Sequence, residues 1–335
     1  MGFSLAALRR SKGIRTPPPA PPEPGSGAYT SLAELAAFEH AARDVGFLPR
    51  QPVHSLLAGR HGSRVRGRGL SFEELRQYLP GDDIRAMDWR VTARTGKPFV
   101  RIYTEEKDRP ALFVIDQRIN MFFGTRRAMK SVAAAEVAAL GAWRVLAQGD
   151  RVGGIVFADA QVDELRPQRS RAAVMRLLET VVERNAALRA DAPVRRNPAQ
   201  LDAALDAAAR LADHDHLVIV ASDFDGYGER THGLLSRLSL HNDVIGVVVY
   251  DPFLLELPPS GALVVSDGEL QIELEVGGER TRKGIAGFAD ARATALLGLQ
   301  RELGIPVLPV SAAEETAPQL RRLLGGRIGP AARGR

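Results

Sequence analysis

Four carboxylates stand at or just past the ends of short apolar runs: Asp116 after Ala111 to Ile115, Asp159 past Val152 to Phe157, Asp223 after Leu217 to Ala221, and Asp251 after Val244 to Val249. Aspartates at the carboxyl ends of strands are candidates for cation binding, because an open α/β sheet binds its ligands there. The local alternative is that they cap the next helix or close a turn, and this is the expectation for Asp159 and Asp251. Two residues after Asp116 comes Arg118, which has hydrogen-bond donors only and stays protonated. It can bring positive charge to a carboxylate cluster but cannot ligate a metal. Among the seven histidines, His214-Asp215-His216 forms a cluster just before an apolar run, and it reads as a polar helix-to-strand turn.

A second constellation spans Gly67 to Arg94. Pro80-Gly81 signals a turn, and Asp82 and Asp83 stand where their side chains would cap a short helix through Ile84, Met87 and Trp89. Arg68, Arg76, Arg85, Arg90 and Arg94 surround Glu73, Glu74, Asp82, Asp83 and Asp88. The segment therefore reads as a balanced, structural ion network. A catalytic trio of Asp82, Asp83 and Asp88 is disfavoured, since carboxylates amid so many arginines satisfy one another.

Positioning these groups requires an alternation of short buried strands with longer helices, the signature of a mostly parallel α/β sheet. The strands are the four runs above and Ile305 to Val310. Helical spacing covers Arg127 to Gln148, through Val132, Ala135, Ala139 and Trp143, and Pro198 to Ala212, with Asn197 as cap and Pro198 at the first helical position. Strand-like alternation between Leu257 and Gly278, with Gly268 at the turn, predicts a hairpin; residues 281–303 and 313–324 supply the last helices.

Composition narrows the function classes. With no cysteine, disulfides, thiolate zinc sites and thiol catalysis are excluded, and a reducing compartment fits. The apolar part of the first fifteen residues is too short for an export signal, and Pro17 to Gly27 reads as a semi-rigid linker. The run from Ser131 to Ala147 is broken by Glu136 and Arg144, so no spanning helix is expected. Net charge is +5 but split: residues 60–101 hold ten basic and five acidic side chains, whereas 102–320 hold 24 basic and 31 acidic ones. The basic segment interleaves with acids and lacks stacking aromatics, which argues against nucleic acid. Neither a Walker loop nor a dinucleotide fingerprint is present; Gly62 to Gly69 is Arg-rich and follows no strand. Arg118 also stands where a phosphatase of the haloacid dehalogenase type needs its second aspartate.

Phe72, Arg76, Tyr78, Pro80, Gly81, Asp82, Asp83, Arg85, Asp88, Trp89, Ala93 and Arg94 reproduce in order a pattern that resembles the bacterial family called domain of unknown function 58. The likeness continues through Phe123-Gly124 and Gly149 to Gly153 and covers about residues 31–325. It implies a von Willebrand factor A-like, Rossmann-like doubly wound sheet over 109–325, preceded by a signature region at 31–108, a disordered Pro-rich tail at 1–30 and a flexible basic tail at 326–335. Longer relatives begin with membrane helices, so this chain resembles a short, soluble member. Domains of this kind hold a divalent cation at a metal-ion-dependent adhesion site, with D-x-S-x-S after the first strand, a Thr from a later loop and a second Asp. Here Arg118 and Asn120 stand where the serines would be, Arg195 to Pro198 occupies the Thr loop, and Asp223 is the second acid.

The resemblance thus implies a degenerate site with no tightly bound metal; if an ion binds at all it is a weak Mg²⁺ at Asp116, Asn120 and Asp223. Asp116, Arg118, Asn120 and Asp223 are expected to receive an acidic residue of a partner, the competing expectation being an internal salt bridge. Proteins similar to this one partner MoxR-type AAA+ ATPases, which implies a cytoplasmic, non-enzymatic adaptor acting with such an ATPase on a client protein, without inserting into a membrane. The alternative is a metal-dependent hydrolase acting on phosphate esters.

Overall fold

The computed structural model describes residues 27–44, 70–105, 109–189, 195–254, 262–266, 271–275, 296 and 298–324. Runs rich in Val, Ile, Leu and Phe build strands β3 (Ala111–Asp116), β4 (Val152–Phe157), β6 (Leu217–Ser222) and β7 (Asp243–Tyr250), and β10 (Val307–Ser311) joins them. With β5 (Val162–Gln168) they form one six-stranded sheet in the order β10-β7-β6-β3-β4-β5. Every pairing is parallel except β4 with β5. Alternation of side chains sends Phe113, Ile115, Ile219 and Ala221 to one face and Leu112, Val114, Val218 and Val220 to the other, and both faces are buried. This mixed, doubly covered sheet is the von Willebrand factor A-like architecture expected from the sequence. Chain direction reverses its progress between β3 and β6, so the crevice at the carboxyl ends of those strands is the switch point where such sheets place ligands.

Helices α3 (Lys130–Ala147), α4 (Arg171–Ala186) and α7 (Thr316–Leu323) cover the first face; α5 (Gln200–Leu211) and α6 (Glu229–Ser239) cover the second. α3 is buried on almost every side, and its alanines at 133, 134, 135, 138, 139 and 142 let neighbours approach on all of them. One of those neighbours is α1 (Leu32–Ala41), opened by a capping box in which Ser31 and Glu34 satisfy each other's backbone N–H. Leu35 is fully buried, and Trp143 Nε1 donates to its carbonyl at 3.2 Å. A buried polar chain ties the same segment down: Thr30 N donates to Asn185 Oδ1, Asn185 Nδ2 to Gln117 Oε1, and Gln117 Nε2 to the Ser131 carbonyl, at 3.0, 3.1 and 2.9 Å. Residues 27–44 therefore belong with the α/β layer, not with the signature region in which the division at 31–108 places most of them.

The signature region proper is a two-stranded antiparallel unit of β1 (Leu70–Gln77) and β2 (Phe99–Glu105), with the short helix α2 (Trp89–Thr95) between them. β8 (Ala262–Ser266) and β9 (Gln271–Glu275) form the expected hairpin; Gly268 at its turn lies outside the described residues. So do residues 1–26 and 326–335 of the two tails, whereas residues 27–30 of the expected disordered tail are described and hydrogen-bonded to the α/β layer; of the helix expected at 281–303 only residue 296 and residues 298–303 are described, as helix.

Two elements differ from the sequence expectation for identifiable reasons. α5 starts at Gln200 because Asn197 does not cap it: the Asn197 backbone N–H and side-chain amide both donate to Asp159, at 2.8 and 3.2 Å. β5 escapes an apolar-run search because V-D-E-L-R-P-Q shows only a half-buried alternation and carries Pro167, which an edge strand tolerates. It is held to α4 by Arg184, whose Nε and Nη2 donate to Asp163 at 2.7 and 3.1 Å. Hydrogen bonding from Arg184 holds the Asp163 carboxyl below its ordinary value, outweighing desolvation. A depressed folded-state value stabilises above the unfolded pKa and is lost as pH falls through the folded one. The Tm of Asp163→Asn is accordingly expected to converge on that of the parent below about pH 4 and to lie under it at neutral pH. A constant Tm difference from pH 3 to 7 would contradict this.

Candidate functional site

At the switch point Asp116 ends β3 and Ser222 ends β6, with Asp223 the next residue. Arg118 folds back on Asp116: its backbone N–H and Nε donate to Oδ1, both at 3.0 Å, and Nη2 donates to Oδ2 at 2.7 Å. Ser222 Oγ donates to the same Oδ2 at 2.6 Å. The remaining guanidinium donors reach the carbonyls of Pro198 and Asp225 at 3.2 and 3.1 Å, and the Phe157 ring lies 5.2 Å from Cζ. Asp116 and Arg118 are both fully buried. Burial pushes the Asp116 carboxyl up against the pull of Arg118, and the nearby Asp223 adds to the rise. For Arg118 the same desolvation acts downward but is outweighed by Asp116, with Asp223 and Asp225 adding to the upward shift, so the guanidinium stays charged.

Asp223 attracts the Arg118 charge but takes its hydrogen bonds from other groups. Lys130 Nζ, at the start of α3, donates to its Oδ2 at 2.5 Å, while Asn120 Nδ2 and the Asp225 N–H donate to its Oδ1 at 2.8 and 2.9 Å. Asp225 in turn takes a bidentate contact from Arg196, with Nη2 at 2.6 and 2.7 Å from the two oxygens. Three carboxylates thus face three cations, Arg118, Lys130 and Arg196. Phe224, between two of the aspartates, is buried at φ +55°, a conformation that only a strongly determined surrounding sustains in a non-glycine residue. Asp159 and Asp251 act as loop staples. Asp159 accepts from the N–H groups of Ile119 and Asn197, and Asp251 from Thr125 N and Oγ1 and from Phe253 N. His214 and His216 are spent on a turn, with Nδ1 atoms facing Asp215 Oδ2 and the His214 carbonyl.

The residues do not fit a divalent cation as they stand. Both Asp116 oxygens are taken by Arg118 and Ser222, Asp223 is taken by Lys130 and Asn120, and Asn120 Oδ1 is the one side-chain oxygen of this group left without a partner. Mg²⁺ requires near-octahedral oxygen ligation. Among the described residues, no three His, Asp or Glu side chains gather as a metal-ligand group. The expectation that Arg118 offers donors to a partner is corrected by the same geometry, because a side chain with no exposed surface reaches nothing outside. Lys130, expected only to add positive potential at this edge, closes on Asp223, and Ser222, Asp225 and Arg196, from segments remote in sequence from Asp116, complete the cluster.

The signature residues are placed differently from the expected network. Pro80 and Gly81 form a turn of type II pattern, with Gly81 at φ +106° and Asp82 N donating to the Leu79 carbonyl at 3.0 Å. Arg76 Nη2 pairs with Asp82 at 2.9 Å, and Leu79 N donates to the same carboxylate. The Asp82 carboxyl is lowered chiefly by that backbone hydrogen bond. Asp83 caps the single turn Ile84–Ala86 by accepting from Arg85 N, and Asp88 caps α2 by accepting from Arg90 N and Val91 N. The single helix expected through Ile84, Met87 and Trp89 is therefore two capped pieces. Tyr78 is half-buried, its N–H donating to the Pro98 carbonyl at 2.9 Å. Arg85, Trp89 and Arg94 are exposed, and Arg68 lies outside the described residues. Among the described signature residues, the structure shows the Arg76–Asp82 pair and two aspartates, Asp83 and Asp88, used as caps.

A von Willebrand factor A-like sheet whose carboxyl-edge cluster is closed by its own arginine and lysine defines the class of protein. Within that class, residues 74–294 match the family described as "Protein of unknown function DUF58", and the chain belongs to it. Uncharacterized proteins of Mycobacterium tuberculosis and Mycobacterium bovis are 27% identical over 291 residues, 86% of this chain and 89% of theirs. The crystal structure of a conserved hypothetical protein BatB from Bacteroides thetaiotaomicron is similar at 13% identity and a TM-score of 0.39, covering 65% of this chain and 97% of that one.

Proposed function

We propose that this chain is a non-enzymatic adaptor that works with a MoxR-type AAA+ ATPase in the maturation or remodelling of a client protein. The ATPase supplies the ATP-driven work; this chain supplies recognition. The observation that carries the reading is the fate of the switch-point crevice. Where an α/β sheet places reactive groups, Arg118 is buried against Asp116 with Pro198, Asp225 and Phe157 closing around it. A cluster so filled is a rigid piece of framework, the degenerate remnant of a metal-ion-dependent adhesion site, and binds no metal tightly. The reading places the chain in the cytoplasm; among the described residues no helix is long and apolar enough to cross a membrane.

Two measurements test it. The purified chain should bind the MoxR-type ATPase encoded by the same genome in a direct assay and alter its ATP turnover; absence of both effects ends the ATPase assignment. Millimolar Mg²⁺ should leave the Tm of the chain within about 1 °C of its metal-free value, since a ligand stabilises only through its affinity for the folded state. A clear Mg²⁺-dependent rise, abolished by Asp116→Ala, would show that the site opens to a cation after all.

A further inference from the structure

In the signature segment Arg76 is paired with Asp82, and Asp83 and Asp88 accept from backbone N–H groups, while four further cations stand exposed. Asp82 is held by Arg76 and Leu79 N, Asp83 by Arg85 N, and Asp88 by Arg90 N and Val91 N. Arg85, Arg90, Arg94 and Lys97 are exposed, and their side chains have no acidic partner among the described residues. Large apolar side chains stand out on the same excursion between β1 and β2. Trp89 is 64% exposed, Ile84 59% and Leu79 57%. Single exposed apolar residues are ordinary, but of the five large exposed ones among the described residues four, counting Leu75, fall between positions 75 and 89. Backbone geometry holds them out: the Pro80-Gly81 turn precedes Ile84, the Asp83 cap fixes its turn, and the Asp88 cap sets Trp89 at the first position of α2. Asp88 N donates to the Phe99 carbonyl, and Phe99 N to Thr92 Oγ1, so the excursion is fastened to β2.

We infer that this excursion, through Leu79, Ile84, Trp89, Arg85 and Arg90, is the docking surface for a protein partner that offers an apolar pocket rimmed by carboxylates. Tryptophan and arginine are the side chains that most often dominate binding energy at protein interfaces, an apolar anchor at the centre and charge at the rim. The sign of the unspent charge fixes the sign of the partner: each exposed cation without an internal acid is attracted to an acidic rim, and the attraction weakens with salt. A membrane surface is the less favoured occupant, because α2 has seven residues and gives no long amphipathic face to lie in a bilayer interface. The inference rests on the adaptor reading and moves its contact away from the buried Arg118 cluster.

The test uses the full chain, with the purified MoxR-type ATPase as the probe. Trp89→Ala and Arg90→Glu should each weaken binding about 10-fold or more while leaving Tm unchanged, and binding by the parent should fall with added salt. Leu240→Ala, an equally exposed apolar residue on the α/β layer, should bind as the parent does. If the parent binds and both signature variants bind equally well, the docking surface lies elsewhere and the adaptor reading survives. If the parent does not bind, the ATPase reading and this surface fail together. Two further outcomes overturn the inference: Trp89-dependent sedimentation with phosphatidylglycerol vesicles assigns the surface to a membrane, and Trp89-dependent self-association on ultracentrifugation assigns it to a second copy of this chain.

Discussion

Arg118→Met should lower the free energy of unfolding by about 3–5 kcal/mol, the cost of leaving one charge of a buried pair without its partner. The substitution keeps much of the side-chain volume but strips Asp116 of the two guanidinium bonds, at 3.0 and 2.7 Å, leaving Ser222 and one backbone N–H against complete burial. It also abandons the carbonyls of Pro198 and Asp225, through which Arg118 joins the α5 entrance and the β6 exit to the end of β3. Arg118→Lys retains charge without the planar fork and should fall between parent and Met. Asp116→Asn alone should destabilise as well, because it strands the arginine. The double variant should recover a large share of the sum, since removing both charges restores neutrality. Urea denaturation of the parent and the four variants measures this directly. Additive losses in the double variant, or a parent-like midpoint for Arg118→Met, would mean that the pair is not the lock of the cluster.

The stability experiment bears on function because the cluster is built from parts that must all be in register. Arg118 closes on Asp116, Lys130 on Asp223 and Arg196 on Asp225, and Phe224 is held at positive φ between them. Among the described residues this cluster pairs three carboxylates with three cations, in contrast to the signature excursion, where Asp83 and Asp88 cap short helices and Arg85, Arg90, Arg94 and Lys97 stand exposed.

The strand positions could be read because a parallel sheet covered on both faces demands continuous apolar runs, and β3, β4, β6 and β7 meet that demand within two residues of the expected ends. Asp116 and Asp223 were legible for a related reason: a chain leaving a buried strand turns polar at the crevice. Which cation meets which acid was not legible. Lys130 meets Asp223 across 93 residues, and Arg118 reaches Asp225 across 107, distances over which local pattern carries no information. The signature segment misled in a different way. Equal numbers of nearby acids and bases look like an ion network in one dimension, but an aspartate two or three residues ahead of a free backbone N–H finds that donor first, and Asp83 and Asp88 became caps. β5 was invisible because an edge strand needs only one apolar face.

The placement of α1 gives the second large expectation. Leu35→Ala should cost about 2–5 kcal/mol, the range for removing a fully buried leucine whose surroundings cannot collapse. Leu35 has no exposed surface, lies in the same core cluster as Trp143 and Val181, and its carbonyl accepts from Trp143 Nε1. Collapse is resisted because α3 is bounded by the sheet, α4 and α7 and has only alanines to move on several sides. Ser31→Ala, which opens the capping box, should cost about 1 kcal/mol by comparison. Removing residues 27–44 altogether should go further: it uncovers Leu35's seat and leaves Asn185 Oδ1 without the Thr30 N–H and the Leu188 carbonyl without the Tyr29 hydroxyl. A chain beginning at residue 45 is therefore expected to lose cooperative thermal unfolding, followed by near-ultraviolet circular dichroism of Trp143. If that truncated chain instead unfolds cooperatively with the parent's midpoint, residues 27–44 are an ornament on the sheet, and the boundary belongs where the sequence alone placed it.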